Sequence, residues 1–596
     1  MIRFLLLSFA ILMSASFAEV AHQERDGIIF IENKTANSGF GTARATFKLT
    51  KPGKYSLQLV HEKKKAGQSV SASAKISGRT VGGTLERKEL IKDGVVSVFK
   101  DTIEFTRSGT YTVEVFCKKQ PDWIRLVPKI YDQSRIIVGS KNYYDQWKKM
   151  AYSCEKTKAL EWFQNAKFGM FVHWGIYSQA AGSWKGVKIE DSGTEGPKVA
   201  EWLMHAFQIS RKQYRNYADE FEPNASFAKN FVTLAQKTGM KYMVITAKHH
   251  DGFALFDSKH SKWDIGESTL YEGDLILELY EECVKEGIGF GVYYSHGHDW
   301  MDGTDGNYYK EKAFRDSYNV HTRPNGKNLW DPSSDVFEEY LEEKAYPQII
   351  ELVKKMPKLK LIWFDGEGLI TEYHAFRFYR TIYELNPNIL VNRRVGYEYG
   401  DYIDAGDNKT PKAGELAPKY FETCGTANHS WGFKAHDHNW KTSPQLLRQF
   451  VDIISKGGNY LLNIGPDGMG RVPATCTMNL IEMGKWVKAN EDAVYGTSRW
   501  KIFTENVQLA RNAENAEGEF WFSAKGNKVY AMTLTAAPKK VEILSLSSKA
   551  GKITKLRLLT GKELKNWKQT KRHLVIDFDG VHTRPEGYVV EATFAE

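Results

Sequence analysis

The pattern of hydrophobic and polar positions changes character twice along this chain. From about residue 27 to residue 135 it has a period of two: Gly27-Ile-Ile-Phe-Ile-Glu32, Ala43-Arg-Ala-Thr-Phe-Lys-Leu49 and Tyr55-Ser-Leu-Gln-Leu-Val60 place successive side chains on opposite faces. Gly and Pro punctuate these runs, which predicts an all-β sandwich. From about residue 143 to residue 497 short apolar runs alternate with amphipathic segments. Lys241 to Ala247, Ile288 to Tyr294 and Leu359 to Phe364 read as strands, and Leu275 to Lys285 and Glu338 to Met356 as helices, with further strands at Ile389 to Asn392 and Tyr460 to Ile464. Strand-helix units repeated over about 350 residues predict a parallel sheet, and at that length a barrel. The last hundred residues return to strands and turns, as in Glu519 to Ser523, Lys528 to Leu534 and His573 to Phe578. The predicted architecture is a central (β/α)8-like TIM barrel over residues 141–498, flanked by an N-terminal β-sandwich (19–140) and a C-terminal β-sandwich (499–596).

Composition narrows the class. With 42% hydrophobic and 26% charged residues the chain reads as globular rather than disordered. Met1-Ile-Arg3, the apolar run Phe4 to Met13 and Ser16-Phe17-Ala18 form a secretory signal peptide over residues 1–18, so the mature chain is expected to be secreted or periplasmic. The run is too short for a membrane span of about 20 residues, and no stable membrane insertion is expected. Five cysteines stand far apart with no CxxC pair, which indicates neither a disulfide framework nor a zinc site. The net charge of +10 weakly favours an anionic substrate, such as a sulfated polysaccharide or a cell-wall polyanion. Basic residues are scattered among nearly as many acids, so nucleic acid is not an expected partner.

Candidate chemistry gathers where the apolar runs stop. Leu361-Ile-Trp-Phe-Asp365-Gly delivers one carboxylate into a Gly turn, which makes Asp365 the first candidate nucleophile; an Asp capping the next helix is the plain alternative. Other runs end in His173-Trp174, in Lys248-His249-His250-Asp251, in Tyr293-Tyr294-Ser295 and in Asn392-Arg393-Arg394. Residues that grip a sugar at the C-terminal face of a barrel come from several strand ends in this way. His173, His249, His250, His436 and His438 with nearby Asp residues offer a metal site as the alternative. Adjacent histidines on a strand point to opposite faces, so His249 and His250 share an ion only if the strand has already broken. No metal and no cofactor are expected.

Six motifs then carry a resemblance. Trp162 to Gly175, Ala200-Glu201-Trp202, Lys248 to Phe253, Phe290 to Ser295, Trp363-Phe-Asp365 and Gly458 to Gly468 resemble, in order across residues 160–470, the α-L-fucosidases of glycoside hydrolase family 29. The resemblance implies an exo-acting, retaining hydrolase that removes terminal α-L-fucose from glycans or fucan-type polysaccharides through a covalent glycosyl-enzyme intermediate. It implies Asp365 as nucleophile, and His173, Glu201, Trp202, His249, His250, Tyr293, Trp363 and Arg394 as substrate-binding residues. Such donors and acceptors suit sugar hydroxyls, and aromatic rings cover the apolar C5-methyl face of fucose.

The acid/base residue departs from the family pattern. In Gly400-Asp-Tyr-Ile-Asp-Ala-Gly-Asp407-Asn-Lys-Thr-Pro411 the best match is Asp407, 42 residues after Asp365, with Asp404 close enough to compete. Glu422 in Phe421-Glu-Thr-Cys424 is the alternative. An Asp is one methylene shorter than a Glu, so the loop must approach the leaving oxygen more closely. Two rival readings stay open: a carbohydrate-binding protein on a decayed glycosidase scaffold, and the same fold acting on a related sugar such as galactose. The N-terminal sandwich resembles carbohydrate-binding modules attached to glycosidases. Linkage, oligomeric state and the ligand of that module are not set by the sequence.

Overall fold

The computed structural model describes residues 21–22, 29–32, 41–62, 72–81, 85–91, 94–117, 121–128, 141–194, 196–303, 337–367, 370–411, 420–508, 514–561 and 563–595. The signal peptide expected over residues 1–18 lies outside the described residues. The first of two compact units spans the N-terminal region. One of its two five-stranded sheets has the order Ala21–His22, Gly41–Leu49, Gly109–Cys117, Ala72–Ile76, Arg79–Val81; the other has the order Ile29–Glu32, Trp123–Pro128, Gly53–Glu62, Gly94–Phe105, Leu85–Ile91. Ala72–Ile76 alternates buried and exposed residue by residue, as a strand with one face on a core must. Phe47 and Val113 of one sheet and Leu57 and Ile124 of the other share that core, which makes this unit a sandwich.

The second unit contains an eight-stranded parallel sheet. Its strands are β1 (Phe168–Val172), β2 (Tyr242–Lys248), β3 (Gly289–Ser295), β4 (Leu359–Asp365), β5 (Leu390–Val391), β6 (Ile403–Asp404), β7 (Phe421–Thr426) and β8 (Asn459–Ile464). They run in the order β5-β4-β3-β2-β1-β8-β7-β6. A parallel bridge between Asn392 and Tyr402 joins the two edges, with Arg393 N–H donating to the Tyr402 carbonyl at 3.0 Å, so the sheet closes into a barrel. Strands β1, β2, β7 and β8 are buried at every position, which is why they read as continuous apolar runs rather than alternating ones. Helices return the chain between strands. Ser443–Ser455, for example, starts with a capping box between Thr442 and Gln445 and has Pro444 in its first turn.

The helix expected over residues 338–356 is interrupted. Phe337–Tyr340 is α-helical, Leu341–Ala345 winds as a π-helix, and Tyr346–Lys355 resumes the α form. Pro347, in the first turn of the resumed helix, has no N–H for the backbone ladder and its ring displaces the preceding turn. The π segment carries Lys344, buried between Asp299 (3.0 Å) and Asp302 (2.6 Å).

C-terminal strands form a five-stranded sheet from Ser498–Glu505 to Tyr588–Phe594 and Ile553–Leu558, and a three-stranded sheet of Lys540–Ile543, Leu574–Asp577 and Trp567–Gln569. Phe522 and Val590 of the first meet Ile543 and Ile576 of the second in one core. A two-pronged buried ion pair ties this region to the barrel: Arg448 Nη1 and Nη2 donate to the Glu519 carboxylate at 2.6 and 2.8 Å. Among the described residues no helix is long and apolar enough to cross a membrane.

Candidate active site

Asp365 is the last residue of β4, and Gly366 behind it takes a left-handed turn (φ +77°) that ends the strand at once. The loop after β3 crosses that turn so closely that a Cβ on Gly297 would fall 1.8 Å from the Gly366 carbonyl oxygen. Only glycine fits there. The Asp365 carboxylate is left 22% exposed, accepting from Arg394 Nη1 at 2.9 Å and from the Tyr293 hydroxyl at 3.0 Å. Burial alone would push its pKa up, but the Arg394 guanidinium outweighs that and holds it well below the usual carboxylate range. An ionised carboxylate at the mouth of the barrel is chemically a nucleophile or an anchor for positive charge, not a proton donor.

Arg394 organises three carboxylates. It sits in the turn Arg393–Val395 directly after β5. Besides Asp365, its Nε donates to Asp404 at 2.8 Å and its Nη2 to Asp407 at 2.5 Å, while the guanidinium lies 4.6 Å over the Trp363 ring. The two competing loop acids differ in access: the Asp404 side chain is 2% exposed and Asp407 is 57% exposed. Asn408 pins the loop, its N–H donating to the Cys424 carbonyl at 2.9 Å and its Oδ1 accepting from Thr426 N–H at 2.9 Å. The shorter side chain of Asp407 is thus carried on a loop fastened to β7.

Glu422 stands elsewhere. It is fully buried near the start of β7 and accepts from the Tyr242 hydroxyl at 2.6 Å and from Trp363 Nε1 at 2.9 Å. Burial pushes its pKa up to about 7, with the bonds from Tyr242 and Trp363 offsetting part of the rise. That protonation state would suit a general acid, but Glu422 is fully buried and bonded to the Trp363 indole, whereas Asp407 is exposed.

The other sequence candidates line the same mouth. His173 Nδ1 donates to Asn463 Oδ1 at 2.6 Å, since Asn463 uses its amide to donate to the Trp431 carbonyl at 2.7 Å. Burial lowers the His173 pKa to about 4, so the ring is neutral and Nε2 is an acceptor. The chain has left β2 before His249 and His250, and the two rings lie 4.2 Å apart. Ser295 hydroxyl donates to the His298 carbonyl at 2.9 Å, so its oxygen accepts from His250 Nδ1 at 2.6 Å. His250 Nε2, lone pair outward, then stands 3.9 Å from the Asp365 carboxylate. The His249 ring stacks on Tyr293 (5.2 Å between centroids, 5° between planes), and Tyr293 in turn stacks on Trp363 at 5.7 Å. Glu201 is buried, accepts from Gly432 N–H at 2.7 Å, and is pushed by burial up to about 7. Trp202 packs its ring 5.3 Å from His250 and 5.4 Å from Trp300.

Three further residues belong here that strand-end reasoning passed over: His298, Trp300 and Asn463. The stretch Ser295-His-Gly-His-Asp-Trp300 repeats the polar-aromatic signature one step beyond an apolar run, and that was the signal. Neither ring nitrogen of His298 has a hydrogen-bond partner among the described residues, although the side chain is buried 4.7 Å from His250. Buried Asp299, between Lys248 (3.1 Å) and Lys344 (3.0 Å), holds that loop in place. His436 is not in the cluster; its Nε2 meets Glu190 at 2.9 Å, and His438 is exposed. Among the described residues the acids Asp257, Asp264 and Glu267 lie close enough together to hold a cation, and no histidine joins them.

The chain is similar to several known proteins. The family model described as Alpha-L-fucosidase matches residues 134–492. A plasma alpha-L-fucosidase of Rattus norvegicus is 28% identical over 418 residues, covering 67% of this chain and 81% of that one. An alpha-L-fucosidase of Dictyostelium discoideum is 26% identical over 374 residues, covering 59% and 76%. Among solved structures, alpha-L-fucosidase isoenzyme 1 from Paenibacillus thiaminolyticus matches with a TM-score of 0.59 at 28% identity, covering 74% of this chain and 100% of that one. The Thermotoga maritima alpha-fucosidase matches with a TM-score of 0.57 at 26% identity, covering 74% and 99%.

Proposed function

The chain belongs to the α-L-fucosidase family of glycoside hydrolases, and from that premise we propose that it is an exo-acting, retaining α-L-fucosidase in which Asp365 is the nucleophile and Asp407 the acid/base. The observation that carries the reading is the shared guanidinium: Arg394 holds Asp365 and the exposed Asp407 on its two terminal nitrogens. Carboxylates gripped this way are a few ångströms apart. That favours the separation of about 5–5.5 Å used by retaining pairs over the roughly 6.5–9.5 Å that leaves room for a water in inverting ones. Asp365 attacks the anomeric carbon as the bond to the leaving oxygen breaks. As the acid/base, Asp407 passes a proton to that oxygen, then takes one from the water that cleaves the glycosyl ester.

Around the ring, Nε2 of His173 accepts from a hydroxyl, while Glu201, His249, His250 and Arg394 supply further directional partners. Trp363, Tyr293 and Trp202 give the methyl-bearing face of the sugar an apolar wall. The substrates are terminal fucosyl residues of glycans or fucans, and the leader over residues 1–18 directs the enzyme out of the cytoplasm, so the mature N-terminus is expected at Glu19.

Hydrolysis of 4-nitrophenyl α-L-fucoside by wild type, Asp365→Ala and Asp407→Ala tests the assignment. Loss of the nucleophile lowers kcat more than about 10⁴-fold. Loss of the acid/base costs about 10²–10⁴-fold on a sugar leaving group and far less on an activated one. Azide restores turnover in both variants and is recovered as a glycosyl azide, β when it replaces the missing nucleophile and α when it opens the glycosyl ester. An inactive wild type that still binds fucose moves the protein to the binding-protein reading.

A further inference from the structure

The loops that follow β1 and β7 enclose a second cavity, of about 320 Å³, walled by Glu190 and Lys198 on one side and by His429, Lys434, His436 and Asn439 on the other. That volume is at the small end of ligand pockets, on the order of 300–1,000 Å³. Both loops leave the C-terminal ends of their strands, the face on which Asp365 lies. The wall of the cavity is also continuous with the fucose pocket. Val199, which lines the cavity, leads directly into the turn Ala200–Trp202 that carries Glu201 and Trp202. Trp431, between His429 and Lys434, packs its ring 5.1 Å from His173. The loop that carries Asp407 is fastened next to the cavity wall: Asn408 Oδ1 accepts from Thr426 N–H at 2.9 Å, and the Thr426 hydroxyl donates to the Asn428 carbonyl at 2.7 Å, one residue before the wall residue His429.

Its walls are built before any ligand arrives. Ala435 N–H donates to the Ala181 carbonyl at 3.1 Å, and at Gly182 (φ +78°) a Cβ would lie 2.6 Å from Lys434 Cγ. Glu190 is gripped by Lys434 Nζ at 2.5 Å and His436 Nε2 at 2.9 Å. Lys198 Nζ donates to Ser192 Oγ and to the Thr194 carbonyl, both at 2.5 Å. Asp437 accepts from the backbone of His429 and Asn439 at 3.0 and 3.1 Å.

The lining chooses the ligand chemistry. Two lysines are matched by Glu190 and Asp437, so no charge is left over to select an anion, whatever the +10 of the whole chain. No Trp, Tyr or Phe lines the cavity, so recognition runs through hydrogen bonds rather than ring stacking. We propose that this cavity is the leaving-group subsite and takes an uncharged hexosyl residue, the one to which fucose is attached. The assignment rests on the fucosidase reading above.

Two substrates separate it from that reading: α-L-fucosyl fluoride, which has no leaving sugar, and the neutral fucosyl disaccharide that the wild type cleaves fastest from a set of linkages. In His436→Ala and in Asn439→Trp, which fills the cavity from an exposed position, kcat/KM on the disaccharide is expected to fall tenfold or more while the fluoride rate stays within twofold. Equal losses on both substrates, or none on the disaccharide, overturn the subsite and leave the fucosidase reading intact. A wild type inert toward the fluoride overturns the fucosidase reading itself. Preference for a sulfated disaccharide over its neutral counterpart, lost in His436→Ala, overturns the uncharged assignment.

Discussion

The mouth and the floor of the barrel treat a carboxyl group in opposite ways. Both Asp365 and Glu422 lie in surroundings that by themselves raise a carboxyl pKa, and both touch neighbours of Trp363 or Trp363 itself. At the mouth the compensation is a cation, Arg394, and the carboxyl stays ionised. At the floor it is two neutral donors, the Tyr242 hydroxyl and the Trp363 indole, and the carboxyl rises to about 7. A hydrogen bond from a neutral group recovers only part of the desolvation of a charge, whereas a paired guanidinium recovers all of it and more. Burial alone therefore does not tell a reactive carboxyl from a structural one. The partner does.

Removing that partner is the strongest way to break the contrast. Arg394→Ala is expected to lower kcat/KM on 4-nitrophenyl fucoside by at least about 10³-fold, since Asp365 loses its cation and Asp407 its anchor. It also takes from buried Asp404 its hydrogen-bonded cation and leaves only the field of Arg393, a loss of about 3–5 kcal/mol in a urea melt. Arg394→Lys offers a point charge in place of a planar fork and is expected to recover only a minor part of either. A lysine variant with wild-type rate would show that the three-way grip is dispensable.

A smaller effect is expected at His298, where the mouth accepts a cost that the floor does not. Its two ring nitrogens have no hydrogen-bond partner among the described residues, and the expected role of one of them is to bond a sugar hydroxyl. His298→Phe should raise KM and reduce kcat/KM by about tenfold, the worth of roughly one hydrogen bond, while Tm holds or rises. If Tm and activity fall together, the ring is merely packing.

The same contrast explains what could be read from the chain. Strands such as Phe168–Val172 and Tyr242–Lys248 are buried on both faces, so they appear as unbroken apolar runs whose ends mark the mouth. Asp365, His173, His249 and Tyr293 were legible because each stands at such an end. Asp407 was the better match by its place in the chain, but the difference in access between it and Asp404, 57% against 2% exposed, was not legible, since two acids three residues apart in one loop do not advertise it. Glu422 owes its character to Tyr242 and Trp363, 180 and 59 residues away, and no local pattern encodes such pairings. The π segment over Leu341–Ala345 follows from Pro347, which sits inside an otherwise helical pattern. His298 was missed because it lies past the apolar run, in the loop.

The floor gives the finest test, through pH. The Glu422 value in the folded protein, about 7, lies above the 4.5 of a free carboxyl, so between these values the folded chain holds a proton that the unfolded chain has released. Stability then falls as pH rises through that window and reaches its full cost above about pH 7; below about 4.5 both states are protonated and the cost vanishes. Asp365 has the opposite sign. Its folded value is depressed, so its contribution is complete above the ordinary carboxylate range and is lost only in stronger acid. Glu422→Gln keeps the shape of the protonated group, with an oxygen for Trp363 Nε1 and an amide for the Tyr242 oxygen, and cannot ionise. It should match wild type in unfolding free energy near pH 5, exceed it by about 1–3 kcal/mol at pH 8, and keep kcat/KM within about threefold at pH 5. A stability difference that does not change with pH would mean that the floor carboxyl is ionised throughout. Loss of activity at pH 5 with the fold intact would make Glu422 a participant in the chemistry rather than the support beneath it.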